Sequence, residues 1–250
     1  ENIMSILRGP NGCDWDKKQT HESLKKYIIE ESYELCQAID NDDIDEIIEE
    51  LGDILLQVIF HCQIGKEEGY FEFKDVVNEI CTKLINRHPH VFNNIELDMS
   101  KFDKTWEELK RDEKGENNIT SGLKRIPTHL PALIKAEKIQ YKASLTGFDF
   151  NNIDEIFEKI NEEYKELLDE CKQGNIKYIK EELGDLLFSI VNLARFLHID
   201  SEEALNLTNQ KFINRFEFME ENASKQNKKI EDLTLEQMEE LWQSAKQNKL

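Results

Sequence analysis

The chain has 250 residues, enough to bury one large core or two of ordinary size. Its 52 acidic and 32 basic residues give a net charge of −20, which disfavours binding to polymeric nucleic acid or to an anionic membrane surface. No apolar run approaches the length of a membrane span, and the first residues do not form a signal peptide. We therefore expect a soluble, cytoplasmic protein.

The predicted elements are all helices, because four prolines and ten glycines leave long uninterrupted stretches of apolar periodicity. The first half contains helices predicted near 22–40, 43–67, 73–87 and 101–113. The second half contains helices predicted near 131–144, 153–173, 176–198, 202–222 and 234–248. A polar, glycine-bearing stretch separates the halves. The expected organisation is a helical domain at 1–113, a linker at 114–127 and a second helical domain at 128–250.

The two halves are copies of each other. The first half contains Glu30-Glu31-x-x-Glu34-Leu35 and Glu49-Glu50-Leu51-Gly52-Asp53; the second repeats both blocks at one offset as Glu162-Glu163-x-x-Glu166-Leu167 and Glu181-Glu182-Leu183-Gly184-Asp185. Three further pairs match in the same order: Gly12-Cys13-Asp14-Trp15 with Gly147-Phe148-Asp149-Phe150, Lys83-x-x-x-Arg87 with Lys211-x-x-x-Arg215, and Trp106-x-x-x-Lys110 with Trp242-x-x-x-Lys246. Five matched blocks in order indicate a duplication.

Each copy carries Glu-x-x-Glu on one helix and Glu-x-x-Asp on the next. Residues three apart share a helix face, and a short connection makes the two helices antiparallel neighbours, so four carboxylates can converge. In a chain with 34% charged residues most such stretches are solvated faces. Here, however, the second helix of the first copy is apolar around most of its circumference from Leu51 to Cys62, and its polar residues form one narrow stripe. This pattern predicts a buried helix and a buried cluster of acids.

Converging carboxylates repel one another and lose hydration, so protons or a cation must compensate them. All-oxygen ligands suit Mg²⁺, with Mn²⁺ or Ca²⁺ as alternatives, whereas zinc prefers His or Cys. A di-iron bundle would need Glu-x-x-His, which the sequence lacks. The five scattered cysteines contain no Cys-x-x-Cys pair and are typical of reduced thiols. A magnesium site is therefore predicted, and the usual partner of such a site is a polyphosphate.

Basic and aromatic residues accompany the acids, and the Lys–Arg and Trp–Lys pairs among them recur in both copies. Lys159 lies one turn before Glu163, Lys211 and Arg215 share one helix face, and so do Trp242 and Lys246. Such groups can hold phosphates and stack on a base. The alternative, that these are ordinary surface pairs and a core tryptophan, stays open on spacing alone. His88-Pro89-His90 is interpreted as a structural turn after a helix.

The complete ordered set of motifs resembles the MazG family of tandem-repeat nucleoside triphosphate pyrophosphohydrolases. The resemblance also includes Gly-Cys-Asp-Trp-Asp near the start and Arg-His-Pro-His-Val-Phe at 87–92, and it covers essentially the whole chain. It implies an all-α fold of two duplicated helical-bundle domains and a homodimer. It also implies a hydrolase acting on acid anhydrides, which converts NTPs and dNTPs, ATP among them, to the monophosphate and pyrophosphate with Mg²⁺.

The resemblance assigns roles at matching positions, chiefly in the C-terminal copy. Glu163, Glu166, Glu182 and Asp185 would be the catalytic residues and would hold the metal. The substrate-binding residues would be Lys159, Lys211, Arg215, Trp242 and Lys246. The N-terminal copy keeps its four acids as a second metal site, formed by Glu31, Glu34, Glu50 and Asp53.

Two positions depart from the family pattern. Tyr178 stands where the family has a lysine, so Lys177 or Lys180 would have to replace that contact, and Tyr27, next to Lys26, stands at the counterpart of Lys159. Turnover in the N-terminal copy is therefore left open. So are two other functions: a hydrolase specific for one nucleotide, such as dUTP or dCTP, and a metal-stabilised helical scaffold without catalysis.

Overall fold

The computed structural model describes residues 1–93, 102–115 and 118–248. Within these ranges the chain forms thirteen α-helices and no β-strand, which confirms the predicted all-α class. Among the described residues, no helix combines the length and apolar character that a membrane span requires. Residues 94–101, inside the first predicted domain, and 116–117, inside the predicted linker, lie outside the described part.

The chain divides into two compact units, Glu1–Trp106 and Glu107–Leu250, with the division inside one helix. The helices of the first unit and the one that crosses the division are α1 (Asn2–Leu7), α2 (Asp14–Lys18), α3 (His21–Asp40), α4 (Ile44–Glu68), α5 (Phe73–Arg87), α6 (Pro89–Phe92) and α7 (Phe102–Glu113). The second unit continues with α8 (Ile119–Lys124), α9 (Ala132–Ser144), α10 (Ile153–Gln173), α11 (Ile176–Phe196), α12 (Ser201–Lys225) and α13 (Leu235–Gln247), with a 3₁₀ turn at Ile230–Asp232 before α13.

Each unit is built around one antiparallel helical hairpin, α3–α4 in the first and α10–α11 in the second. The turns are equivalent. Asp42 in the first and Gly174 in the second adopt positive φ, at 53° and 76°, and end the leading helix in a left-handed conformation. The next residue in each, Asp43 or Asn175, caps the following helix by accepting a hydrogen bond from a backbone N–H. The duplication therefore extends to the turn that sets the hairpin geometry.

Small apolar cores hold the hairpins in place. In the first unit Met4 of α1 packs with Leu24, Phe60 and Ile64 of α3 and α4, all at most 3% exposed. In the second unit Ile156 and Val191 are the largest fully buried side chains, one from each helix of the hairpin. Burying such side chains stabilises a helix pair that propensity alone would leave marginal.

The nine helices predicted from periodicity are all present, within a few residues of the predicted ends. The short helices α1, α2, α6 and α8 were missed, because fewer than two turns carry too little periodicity to detect. One of them, α8, lies in the segment predicted as the linker.

The prediction that α4 is buried around most of its girth is wrong for the single chain. Leu51 and Leu55 are about half exposed, at 51% and 50%, and Leu183 and Leu187 of α11 behave alike at 46% and 48%. Hydropathy identified the apolar side chains correctly, but the core of the single chain covers only one side of α4 and one side of α11.

Candidate metal and nucleotide site

Three carboxylates converge at the hairpin of the C-terminal unit. Glu163 comes from α10, and Glu182 and Asp185 come from the facing side of α11. One carboxylate oxygen of each lies within 4.8 Å of the other two. The site runs from buried to open: Glu163 is 5% exposed, Glu182 is half-buried and Asp185 is exposed. The predicted seclusion holds only for Glu163, and the open side gives a ligand access to the cluster.

The N-terminal hairpin repeats the arrangement with Glu31, Glu50 and Asp53, whose oxygens also lie within 4.8 Å of one another and which are all half-buried. The remaining acid of each predicted quartet, Glu34 or Glu166, is exposed and lies outside the close trio. The negative charges of Glu34 and Glu166 still raise the pKa of Glu50 and of Glu182, respectively. The structure therefore brings together three of the four predicted ligands in each copy and places the fourth beside them.

Mutual repulsion marks both clusters. Burial raises the pKa of Glu182, and the negative charges of Glu166 and Asp185 raise it further. In the N-terminal copy burial raises the pKa of Glu50 and the charges of Glu34 and Asp53 add to it. Burial likewise raises the pKa of Glu31, helped by a hydrogen bond with Glu34. Burial and the neighbouring negative charges thus both disfavour the ionised form of these glutamates.

The donor set fits a hard divalent cation. All the converging groups are carboxylates, and no His or Cys belongs to either described cluster. One buried oxygen, Oε2 of Glu50, finds no hydrogen-bond partner among the described residues. A buried carboxylate oxygen without a donor is costly, and a cation would remove that cost. These residues are therefore able to hold a divalent metal ion.

The two copies differ in the cation next to the trio. In the C-terminal copy Lys159, one turn before Glu163, places its Nζ 2.6 Å from Oε1 of Glu163 and 3.0 Å from Oε1 of Glu162. These two carboxylates raise the pKa of Lys159 above its usual value. Tyr27 takes the equivalent place in the N-terminal copy, with the Nζ of Lys26 4.5 Å from the centre of its ring. Only the C-terminal cluster has a lysine at this position.

A second group of predicted substrate residues lies on α12 and α13. The guanidinium carbon of Arg215 lies 5.5 Å from the ring centre of Trp242, which also packs on Phe212 at 5.1 Å. In the first unit Arg87 contacts Trp106 in the same way, at 5.6 Å. Lys211 and Lys246 are exposed. An Arg–Trp contact thus recurs in both copies, whereas spacing alone had predicted only the Lys–Arg and Trp–Lys pairs.

Comparison with known proteins agrees with the repeat. The family model described as "MazG nucleotide pyrophosphohydrolase domain" matches the chain twice, at residues 19–92 and 151–218, each time including one carboxylate hairpin.

The chain belongs to the MazG family.

Full-length relatives support the assignment. The chain is 49% identical over 246 residues to "Nucleoside triphosphate pyrophosphohydrolase/pyrophosphatase MazG" of Thermotoga maritima, covering 98% of this chain and 93% of that protein. It is 41% identical over 252 residues to "Nucleoside triphosphate pyrophosphohydrolase" of Escherichia coli K12, covering 99% and 96%. It is also 48% identical to "Uncharacterized protein YabN" of Bacillus subtilis, of which it spans half. The predicted family, duplicated all-α fold and enzyme class, a hydrolase of acid anhydrides, are confirmed.

The positions that depart from the MazG pattern can now be placed. Tyr178 on α11 is 45% exposed, and the Nζ of Lys177 lies 5.5 Å from the centre of its ring. That same Nζ lies 3.9 Å from Oε1 of Glu181. Both Lys177 and Lys180 are exposed, and Lys177 lies next to the first acid of the Glu-Glu-Leu-Gly-Asp motif.

Sequence reasoning missed one feature of the MazG site, a cavity beside the C-terminal carboxylates. Its wall includes Phe148 and Phe150 of the second Gly-x-Asp-aromatic block together with Gln140, Asn192 and Arg195. The Gly-x-Asp-aromatic block could be recognised as a repeat in the sequence. A repeat indicates duplication, however, and does not show that its residues line a cavity. The available signal was that large aromatic residues of the first copy are replaced in the second, as Trp15 is by the smaller Phe150.

Proposed function

We propose that this chain hydrolyses nucleoside and deoxynucleoside triphosphates, ATP included, to the monophosphate and pyrophosphate in the cytoplasm, with Mg²⁺ as cofactor. The observation that carries the proposal is the C-terminal trio of Glu163, Glu182 and Asp185 with Lys159 beside it. A cation bound by these three carboxylates would keep coordination positions free for phosphate oxygens on the exposed side of the site. The printed names of the full-length relatives support the same substrate class.

Glu163, Glu182 and Asp185 would hold the metal. When bound, Mg²⁺ supplies charge stabilisation on phosphate oxygens and lowers the pKa of water. Lys159, whose Nζ pairs with Glu163, would contact a phosphate oxygen of the bound nucleotide. Glu166 is exposed and outside the close trio, so it is the carboxylate best placed to accept the proton of the attacking water.

The exposed Lys211 and Lys246, with Arg215 between α12 and α13, would neutralise the leaving pyrophosphate. Lys177 would replace the family lysine at Tyr178, because it already contacts the ring at that position. The ring of Trp242 already contacts both Phe212 and Arg215 of α12. We assign it the task of holding the Arg215 guanidinium.

The C-terminal copy would perform the turnover. Both copies have an acidic trio suited to a cation, but the N-terminal copy has Tyr27 where the C-terminal copy has Lys159. A phenol ring can neither neutralise Glu31 nor bind phosphate as an ammonium does. We infer that the trio Glu31, Glu50 and Asp53, flanked by Glu34, binds metal mainly for stability.

A homodimer would cover the apolar side of the hairpin. Leu183, Leu187 and Ile190 recur on one face of α11 and are each 46–48% exposed. Gly184 lies at the side of this face, next to Leu183, and a Cβ built at this position meets nothing within 4 Å, so the single chain does not require a glycine here. A glycine inside a helix costs stability unless something approaches closely. A second copy packed on this face would account both for the exposed apolar side chains and for the glycine at position 184.

The test is a product assay by ³¹P NMR with Mg²⁺ and a panel of NTPs and dNTPs in H₂¹⁸O. The proposal expects monophosphate and pyrophosphate from several nucleotides, with the label in the monophosphate if water attacks the α-phosphorus. Diphosphate with inorganic phosphate would contradict the cleavage position. Turnover of a single nucleotide would replace broad hydrolysis with a specific one. Stabilisation by Mg²⁺ without any product would mean a non-catalytic scaffold.

A further inference from the structure

A cavity of about 430 Å³ opens in the C-terminal unit between α9, the loop before α10, and α11. Its size lies within the range of about 300–1,000 Å³ that is usual for small-molecule sites. The walls are largely aromatic and aliphatic, with Phe148, Phe150 and Phe188 facing Ile139 and Ala143. Phe148 is 83% exposed, so a large ring stands at the wall with little protein around it. Flat apolar ligands suit such a site.

The cavity adjoins the acidic trio on both helices of the hairpin. Lys159, which pairs with Glu163, is itself a lining residue. On α11 the lining residue Ser189 lies one turn beyond Asp185. A molecule whose phosphates lie at the trio therefore has its other end within reach of the cavity.

The polar part of the wall is held in place by its own hydrogen bonds. Oδ1 of Asn192 accepts from Nε and Nη2 of Arg195, at 3.0 and 2.8 Å, and Arg195 also pairs with Asp149. Nε2 of Gln140 donates to the carbonyl oxygen of Phe188 at 2.8 Å. That bond fixes the orientation of the amide, and its Oε1 finds no partner among the described residues although Gln140 is only 6% exposed. The wall thus offers a buried acceptor beside aromatic rings.

The N-terminal copy has larger side chains at the equivalent positions. Trp15 replaces Phe150, Tyr27 replaces Lys159 and Phe60 replaces Asn192. The Trp15 ring lies 6.1 Å from Tyr27 and 6.4 Å from Phe60, both edge to face. Phe60 is 3% exposed and belongs to the core of its unit. In the first copy three packed rings occupy the region that is open in the second.

We propose that this cavity receives the nucleobase of the substrate, and that the ring cluster of Trp15, Tyr27 and Phe60 closes the same place in the N-terminal copy. The inference rests on the proposed function and extends it. A purine or pyrimidine stacks against the phenylalanines, and an N–H group of the base donates to Oε1 of Gln140. The difference in side-chain volume between the copies then decides which of two similar carboxylate clusters binds a nucleotide.

The first experiment fills the cavity. Asn192→Phe introduces the residue of the N-terminal copy, and Ala143→Leu narrows the opposite wall without disturbing Asn192 or Arg195. Binding of the α,β-methylene analogue of ATP with Mg²⁺ is measured by calorimetry. Because stacking of one base is worth roughly a tenfold change in affinity or more, both variants should raise the Kd for the analogue at least tenfold. Asn206→Phe, the same exchange at an exposed position of α12, is the matched control.

Binding of Mg²⁺ alone is the second readout, and it should be unchanged in all three variants, since none removes a carboxylate. Wild-type affinity for the analogue in both cavity variants would overturn the inference while leaving the hydrolase intact. Failure of the wild-type protein to produce pyrophosphate from any NTP would instead refute the proposed function itself.

Photocrosslinking of the wild-type protein with 8-azido-ATP gives an answer that does not depend on any variant folding. Peptide mapping should locate the adduct in the wall segments 139–150 or 188–195. An adduct on α13 near Trp242 would overturn the assignment.

Discussion

The exchange Asp185→Asn tests the C-terminal site with little disturbance of the fold. Asp185 is exposed on α11, so the amide, which has nearly the same shape, should change the free energy of unfolding by no more than about 0.5 kcal/mol. It removes one of three negative charges whose oxygens lie within 4.8 Å of one another. A cation seated among them would lose a third of the charge that holds it.

The size of the effect follows from the position of Asp185 in the trio. Removing a group that merely orients a metal ligand costs about 10- to 100-fold in affinity or activity. Loss of a direct ligand should therefore lower kcat/KM for ATP by at least about 100-fold, or about 2.7 kcal/mol of activation free energy. Release of pyrophosphate, followed with a coupled assay at saturating Mg²⁺, measures it.

The duplication supplies the control. Asp53→Asn makes the same exchange at the same place in the N-terminal trio, beside Tyr27 in place of Lys159. It should leave the rate close to that of the wild-type protein. Equal losses in the two variants would refute the division of labour between the copies. A fully active Asp185→Asn protein would refute the assignment of the site.

Three further outcomes are expected. Because the folded-state pKa values of Glu50 and Glu182 are raised, the metal-free protein should lose stability as the pH rises from about 4.3, the value of an unfolded glutamate, through the raised values. Added Mg²⁺ binds the ionised form, so the increase in Tm measured by scanning fluorimetry should be larger at neutral than at acidic pH, and a pH-independent increase would contradict this. Lys159→Met should raise KM for ATP roughly tenfold or more, since a charged hydrogen bond to phosphate is lost, whereas Lys165→Met at an exposed position of α10 should not. Leu187→Glu places a charge on the exposed apolar face of α11 and should shift the protein from dimer to monomer in analytical ultracentrifugation; a wild-type monomer would exclude that interface.

The hairpins and their acids were predictable because local rules determine them. Residues three apart share a helix face whatever surrounds them, so spacing alone placed Glu182 and Asp185 side by side. Asn175 caps α11 from a position that sequence rules favour. Glu166 falls outside the close trio even though its spacing from Glu163 equals that between Glu182 and Asp185. Spacing defines a face but does not decide which side chain reaches the centre.

Exposure was harder to predict, because hydropathy does not say which molecule covers an apolar side chain. Leu51 and Leu55 were expected in the core of their own chain and instead lie half exposed on it. The cavity was harder still, since it depends on the difference in volume between Trp15 and Phe150 and on the way three rings pack in one copy only. Packing of that kind becomes visible only when the helices are assembled.

The most direct measurement is the anomalous diffraction of a bound metal. Crystals of the wild-type protein grown with Mn²⁺, with data collected near the manganese absorption edge, should show a peak among the carboxylates of Glu163, Glu182 and Asp185. Asp185→Asn crystals grown in the same way should show a weaker peak or none. Ordered carboxylates without a peak between them, with manganese elsewhere on the protein, would contradict the claim that these acids converge to hold a cation.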